Sequence, residues 1–492
     1  MFRGEGCGWL LSRGYSLKPL KIDYKWRVLA TVAIGTFMSP LDASVVNIAL
    51  PSISQYFNAA IPTVQWVVLS YLLVISSLLL TYGRLGDMVG HKPVYLTGFV
   101  IFTAGSIFCA ISPTIGFLIA ARGIQALGAG MMMAIGPALV TSAFPPAERG
   151  KALGIVGMTV ASALAVGPTV GGLLVTSFGW PSIFLINLPI GIAGITLAAK
   201  VLKRTETPGG QRFDIWGAIT AFLALMSLLL ALTRGSTWGW QSPPIVILAA
   251  AFLLLLALFI ILEQRVNQPM MDLSLFSIRL FSAANASALL NYMAQFSVIF
   301  LLPFFLQQVR QLPASRAGLL LTPLPLVVLL VAPVSGALSD RIGSRTLSST
   351  GMAITTAGLY FLSRLQEGSG DLSVIFPLAL VGLGSGLFQS PNSSAIMGCV
   401  PKNRLGIASG TLASMRNIGM VMGIALSGAV FDSRFAVHTA RLINGGLTGE
   451  ALQARAFVLS LQDAYLVAAM LALIGVLTSV VRGSSSPVQS KN

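Results

Sequence analysis

Gly83-Arg84-Leu85-Gly86-Asp87-Met88-Val89-Gly90-His91-Lys92 and Gly336-Ala337-Leu338-Ser339-Asp340-Arg341-Ile342-Gly343-Ser344-Arg345 are two copies of one phrase. Both read G-x-L-x-D-x-x-G, followed within two residues by a base. Each copy lies in a short polar gap between two long apolar runs. A phrase repeated this way inside an apolar chain points to two structurally equivalent halves, the plan on which many secondary transporters are built.

The runs around the two copies require a membrane. Of the 492 residues, 55% are hydrophobic and 9% charged, with a mean hydropathy of +0.83, whereas soluble domains carry about 25% charged residues. Stretches long enough to cross a hydrocarbon core of about 30 Å fall near 27–50, 62–82, 94–112, 115–140, 152–177, 183–200, 214–233, 244–262, 282–306, 315–337, 346–363, 374–397, 406–431 and 463–481. They predict fourteen spans in an all-α integral membrane protein. An even number puts both termini on one side. Most of the 31 Lys and Arg share that side, with the 83–93, 143–152 and 200–213 loops. The positive-inside rule therefore makes both termini cytoplasmic, in a cell (inner or plasma) membrane. The net charge of +16 then reflects topology and contact with anionic lipid rather than a nucleic-acid partner. No cleavable signal peptide is read in residues 1–25.

Several chemistries find no support. Cys7, Cys109 and Cys399 are too few and too scattered for a disulfide framework or metal site. His91 and His438 are expected in separate loops, so no histidine cluster, cofactor or metal is predicted. A membrane enzyme would need a nucleophile–base pair or a phosphate loop, and a sensor would carry a soluble output domain; the sequence suggests neither. The expected partners are the bilayer, a small molecule and protons, with no obligatory protein partner.

The repeat also sets the organisation. If the halves match, helices 1–6 correspond to helices 9–14, with helices 7 and 8 inserted (6 + 2 + 6). The expected divisions are a cytoplasmic segment 1–26, a first half 27–200, linkers and the inserted pair 201–280, a second half 281–481 and a tail 482–492. Polar linkers are read at 203–212 and 263–269, and a long polar outer loop at 432–462.

Three further phrases carry mechanism. Leu41-Asp42-Ala43-Ser44-Val45-Val46-Asn47-Ile48-Ala49-Leu50-Pro51 places Asp42 well inside helix 1. An intramembrane carboxylate is costly and marks function by default; one that can be protonated could alternate between proton and substrate. Arg122-Gly123-Ile124-Gln125-Ala126-Leu127-Gly128-Ala129-Gly130 puts a permanently charged group in helix 4, which must face protein or water. Counted from Pro51 and Pro113, Asp42 and Arg122 both lie about 13 Å below the outer face, so a pair at equal depth is expected, either structural or coupling. Gly167-Pro168-Thr169-Val170-Gly171-Gly172 gives helix 5 a proline and a smooth face for close packing.

Together these phrases resemble the major facilitator superfamily, and within it the fourteen-helix drug:proton antiporter family, over nearly the whole chain. The chain departs from R-x-x-Q-G-x-G at Ala126, and from W-R-W-x-F-x-I-N-x-P-x-G at Pro181 and Ser182. The resemblance implies that Gly83, Asp87, Gly90, Lys92, Gly336, Asp340, Gly343 and Arg345 form a conformational latch. It further implies that Arg122 acts with Asp42 in proton transfer and that Gly167, Pro168, Gly171 and Gly172 are the antiporter kink. Asn291, Tyr292 and Gln295 on helix 9, Gln389 and Asn392 on helix 12, and Arg416 in helix 13 are candidates for a substrate cavity; satisfied core amides are the rival reading. The function expected is proton-coupled export of small amphipathic or lipophilic compounds by alternating access. The alternative is a transporter dedicated to one metabolite, such as a vitamin or endogenous product.

Overall fold

Without water in the bilayer core, a spanning chain must satisfy its backbone internally, and helices do this at minimal cost. The computed structural model describes residues 23–145, 148–203, 215–266, 273–401 and 404–481, and among these the regular elements are helical. In chain order the rods of the first half are α1 (Tyr24–Tyr56), α2 (Ile61–Val64 continued by Trp66–Val89), α3 (His91–Ala110), α4 (Ile115–Ala143), α5 (Arg149–Phe178) and α6 (Ser182–Leu185 continued by Asn187–Val201). Next come α7 (Ile215–Trp238) and α8 (Pro243–Arg265). The rods after them are α9 (Arg279–Phe304, ending in a π-turn at Phe305–Val309), α10 (Ala314–Leu321 continued by Pro323–Ile342), α11 (Ser344–Leu362), α12 (Leu372–Gly398), α13 (Leu405–Asn444) and α14 (Gly449–Val481).

Thirteen described helices are long and apolar enough to cross a membrane. The remaining rod, α11, is a 19-residue helix whose first turns hold Ser344, Arg345, Thr346, Ser348, Ser349 and Thr350. It stands in the bundle because α12 and α14 cover it, not because its composition demands lipid.

Two sets of six helices pack alike. In the first, α1 lies on α4, α5 and α6, α3 on α4 and α6, and α2 on α4; the second repeats this pattern eight helices later, with α9 on α12, α13 and α14, α11 on α12 and α14, and α10 on α12. Individual contacts repeat too. Gly98 of α3 faces the Gly128 carbonyl of α4, and at the spacing that separates the two loop phrases Gly351 of α11 faces the Gly384 carbonyl of α12. The closing glycine of each phrase, Gly90 and Gly343, has φ of 100° and 85°, a region that favours glycine. Of the inserted pair, α7 packs against α2, α13 and α8, while α8 is almost entirely unburied and covers little beyond α7.

The two halves touch along α2 and α13 and at the face opposite residues 23 and 481, here called the far face. There Gln307 Nε2 of the α9 π-turn donates to the Ile48 carbonyl of α1 (2.8 Å), Thr169 and Thr322 share a hydroxyl bond (2.8 Å), and the Ser315 amide donates to Thr176 Oγ1 (3.0 Å).

The expected outer loop at 432–462 is a finding against the sequence reading. It is helical on both sides of a turn near 445–448: α13 runs on to Asn444 and α14 starts at Gly449. Phe431 packs on Phe435 and Phe457, and His438 and Arg434 both reach Asp463. His438 therefore sits in a helix and His91 opens α3, rather than lying in loops. Part of the linker read at 263–269 is likewise helical, since α8 extends to Arg265. Residues 267–269 of that linker, most of 203–212, residues 1–22 and the tail 482–492 lie outside the described residues.

Gly351→Val tests the close α11–α12 seam. A Cβ at Gly351 would stand 2.5 Å from the Gly384 carbonyl and 2.9 Å from the Phe388 amide, so the helices must separate, at a cost of about 1–3 kcal/mol. A fall in the melting temperature of the detergent-purified protein is expected. An unchanged melting temperature would mean the seam is loose.

Candidate functional site

Five helices of the first half converge on Asp42. Its carboxylate and the Arg122 guanidinium are both fully buried, with Arg122 Nη1 donating to Asp42 Oδ2 at 2.5 Å. Gln125, one turn on from Arg122, bridges the pair: its Oε1 accepts from Arg122 Nη1 (2.6 Å) and its Nε2 donates to Asp42 Oδ1 (2.9 Å) and Ser106 Oγ (2.8 Å). From α6, Asn187 Nδ2 donates to the same Oδ1 at 2.7 Å. Arg122 Nε donates to the Val67 carbonyl of α2 (3.0 Å), and its guanidinium carbon lies 4.0 Å from the Tyr71 ring centre. The Tyr71 hydroxyl in turn bonds Ser39, one turn before Asp42 on α1, at 2.8 Å.

Charge burial explains the crowding. An ionised carboxylate leaves water only when paired and hydrogen-bonded, and Asp42 receives three donors from three side chains. The expectation of equal depth thus corresponds to a direct ion pair. Ser106, Asn187 and Tyr71 received no role from sequence. Asn187 was visible in the Ile186-Asn187-Leu188-Pro189 phrase and Gln125 in the phrase of Arg122, but only packing shows that they share one carboxylate.

The chemistry is confined to one half. Gly105 abuts Gln125 on α4, and its counterpart Gly358 abuts Val381 on α12. By the same matching, Leu378 stands where Arg122 does and Leu359 where Ser106 does. On α5 and α13, Gly167 meets Ser44 and Gly171 meets Val45, as Gly419 meets Tyr292 and Gly423 meets Met293, which puts Leu290 in the place of Asp42. The fold is duplicated and the network is not.

The Gly167–Gly172 phrase has two faces. Gly167 and Gly171 lie on α1 within their own half, whereas Gly172 meets the Ala314 carbonyl and Gly318 meets the Pro168 carbonyl across the halves. Backbone approach this close needs hydrogen at those positions. Helix α5 passes through Pro168 without interruption.

The latch candidates are only partly brought together. Lys92 Nζ donates to the Ala199 and Leu202 carbonyls (2.8 and 2.5 Å), closing the C-terminal end of α6 within the same half. Gly336 packs on Ser390 of α12, Gly83 has open space at its Cβ position, and Arg345 is exposed. The side chains of Asp87 and Asp340 lie outside the described residues.

The cavity candidates do not converge on one point. The Arg416 guanidinium lies 5.1 Å from the Tyr292 ring centre, and Asn392 Nδ2 donates to the Ala284 carbonyl at 3.0 Å, tying α12 to α9. Gln295 is buried and Gln389 half-buried. Asn291 is fully buried with neither amide atom partnered among the described residues.

Comparison with known proteins follows this geometry. Residues 32–424 match the family described as Major Facilitator Superfamily. The chain is 36% identical over 464 residues to the riboflavin transporter RibZ of Clostridioides difficile (strain 630), covering 93% of this chain and 97% of that protein. It is 36% identical over 403 residues to the multidrug resistance protein Stp of Mycobacterium tuberculosis (strain CDC 1551 / Oshkosh), covering 82% and 75%. Among solved structures, a bacterial homologue of the human lysosomal transporter Spinster, inward-facing and unoccupied, superposes with a TM-score of 0.66 at 14% identity, covering 94% of this chain and 97% of that one.

The ion pair predicts non-additive stability. Arg122→Gln alone strands a buried carboxylate and Asp42→Asn alone strands a buried guanidinium, each costing about 3–5 kcal/mol. The double variant strands neither and should be more stable than either single one, by thermal unfolding in detergent. Additive losses would show that the two charges do not depend on each other.

Proposed function

The chain belongs to the major facilitator superfamily of membrane transporters, and on that premise we propose that it is a proton-coupled antiporter exporting small amphipathic or lipophilic compounds. The observation that carries this reading is the fully buried Asp42, the carboxylate on which Arg122, Gln125 and Asn187 converge. Protonating Asp42 releases the Coulombic hold on Arg122 and turns one of its two accepting oxygens into a donor, so proton uptake there favours a rearrangement of α1 against α4 and α6. Such rearrangement is what a coupling site requires, because a proton shifts a conformational equilibrium only through a difference in its affinity for the two states.

Exchange is supported by the α5–α10 contacts around Pro168 and Gly172, which hold the far face shut in this conformation. A seam that closes one face favours alternation between two closures over a continuous pore. Cytoplasmic termini follow from the positive-inside pattern, and would make the near face the side from which cargo enters. Export is also supported by relatives named for multidrug resistance, Stp among them.

A second reading has its own support: the likeness to a riboflavin transporter spans 97% of that protein. The network geometry bears on substrate charge under both readings. Arg122 already neutralises Asp42, so the first half offers no spare central carboxylate for a dication. Neutral compounds, riboflavin among them, fit best, and a single cation leaves fewer unpaired charges than a dication.

Everted vesicles that pump protons inward are the test, supplied externally and in parallel with riboflavin, a neutral lipophilic dye, and matched mono- and dicationic dyes. Uphill accumulation that collapses on adding an uncoupler is expected for neutral or singly charged compounds. Accumulation of riboflavin alone would select the dedicated transporter. The charge-free pair Asp42→Asn/Arg122→Gln, expected to be more stable than either single variant, should lose uphill accumulation by at least about tenfold, corresponding to about 1.4 kcal/mol of coupling. Uphill transport at the wild-type level by that variant would remove Asp42 from the mechanism.

A further inference from the structure

Where the outer turn of the inserted pair approaches the second half, a groove of about 410 Å³ runs between Trp240 and the helices α13 and α14. Pockets of this size hold small ligands, and this one is graded by depth. Leu426 and Val430 on α13 and Val467 on α14 form its apolar floor toward the membrane centre, while Arg434 and Asp463 stand one to two turns further out. Trp240 stands beside them, at a level where tryptophan favours the membrane–water boundary.

The polar end is a dipole. Arg434 Nε lies 3.3 Å and His438 Nε2 3.0 Å from the same oxygen, Asp463 Oδ2, which leaves Oδ1 to accept from an incoming group. His438 is the more sheltered partner and Arg434 is 55% exposed, so Asp463 stays held if Arg434 turns toward a ligand.

We propose that this groove binds one phospholipid of the far-face leaflet with a zwitterionic phosphoethanolamine headgroup. Its phosphate pairs with Arg434, its ammonium donates to Asp463, and one acyl chain lies along Leu426, Val430 and Val467. Charge complementarity selects this occupant. A headgroup with only negative charge leaves Asp463 beside a like charge. A quaternary choline has no N–H to donate, and a soluble anion leaves the apolar floor empty. A lipid here would wedge the inserted pair against α13 and α14, giving it a contact beyond the seam of α7 on α2 and α13. The site is remote from the Asp42 network, and the inference rests on membrane residence rather than on any transported substrate.

Wild-type protein, reconstituted in vesicles with equal phosphatidylethanolamine, phosphatidylcholine and phosphatidylglycerol of identical chains, is re-extracted in mild detergent and its retained lipid measured by mass spectrometry. Phosphatidylethanolamine should be retained several-fold over both others. Asp463→Asn should erase its advantage over phosphatidylcholine, and Arg434→Gln should lower retention of all three. Val467→Trp fills the floor and should expel lipid with both headgroup residues intact; elution as a single species checks folding in each case. Equal retention of the three lipids, a preference for phosphatidylglycerol, no retained lipid, or wild-type retention by Val467→Trp would each overturn the proposal.

Discussion

A carboxylate and a guanidinium excluded from water at the centre of a helix bundle constrain everything packed around them. Neither Asp42 nor Arg122 has exposed side-chain surface, so each depends on the other and on the amides of Gln125 and Asn187. Removing such charges from water costs several kcal/mol per ion even after relaxation, and the expense is met by side chains from α1, α3, α4 and α6 together with the Val67 carbonyl of α2. The first half is thereby fixed in register from within. The second half reaches the same packing with Leu290, Leu378, Val381 and Leu359 at the equivalent places, which shows that the fold itself does not need the charges.

All partners of Asp42 among the described residues lie in one half. Rocking one rigid half against the other would leave the network untouched, so any linkage between protonation and access has to pass through movement of helices inside the first half. Helix α1 is the element placed to carry it. It holds Asp42, supplies Ser44 and Val45 to the glycine face of α5, and accepts the Gln307 hydrogen bond from α9 through Ile48. A shift of α1 relative to α4 is thus felt both at the buried pair and at the far-face seam.

That seam is built from backbone more than from side chains. Gly172 and Gly318 let two helices from different halves meet at their carbonyls, and hydroxyl bonds such as Thr169 to Thr322 tie the contact. Interactions of this kind are short-ranged and individually modest, suitable for a contact that can form and break. The π-turn at Phe305–Val309 belongs to the same region: it follows Pro303 and presents Gln307 to α1. Lys92, by contrast, acts inside its half, where it closes the end of α6.

The sequence by itself determined the membrane setting, the rods, and the duplicated loops, because hydropathy and glycine placement are local properties written residue by residue. It also marked Asp42 and Arg122, since a charge inside an apolar run is conspicuous and a helix rise of about 1.5 Å per residue converts position into depth. It misjudged 432–462, where polarity suggested a loop although helix depends on periodic contacts such as Phe431 with Phe457 and His438 with Asp463. Only the tertiary structure decided that Gln125, Asn187 and Ser106 serve one carboxylate, that Gly172 faces the other half while Gly171 faces its own, and that the second half holds leucine and valine where the first holds its network. These are relations between residues far apart in the chain, set by which helix faces meet, and no local pattern encodes them.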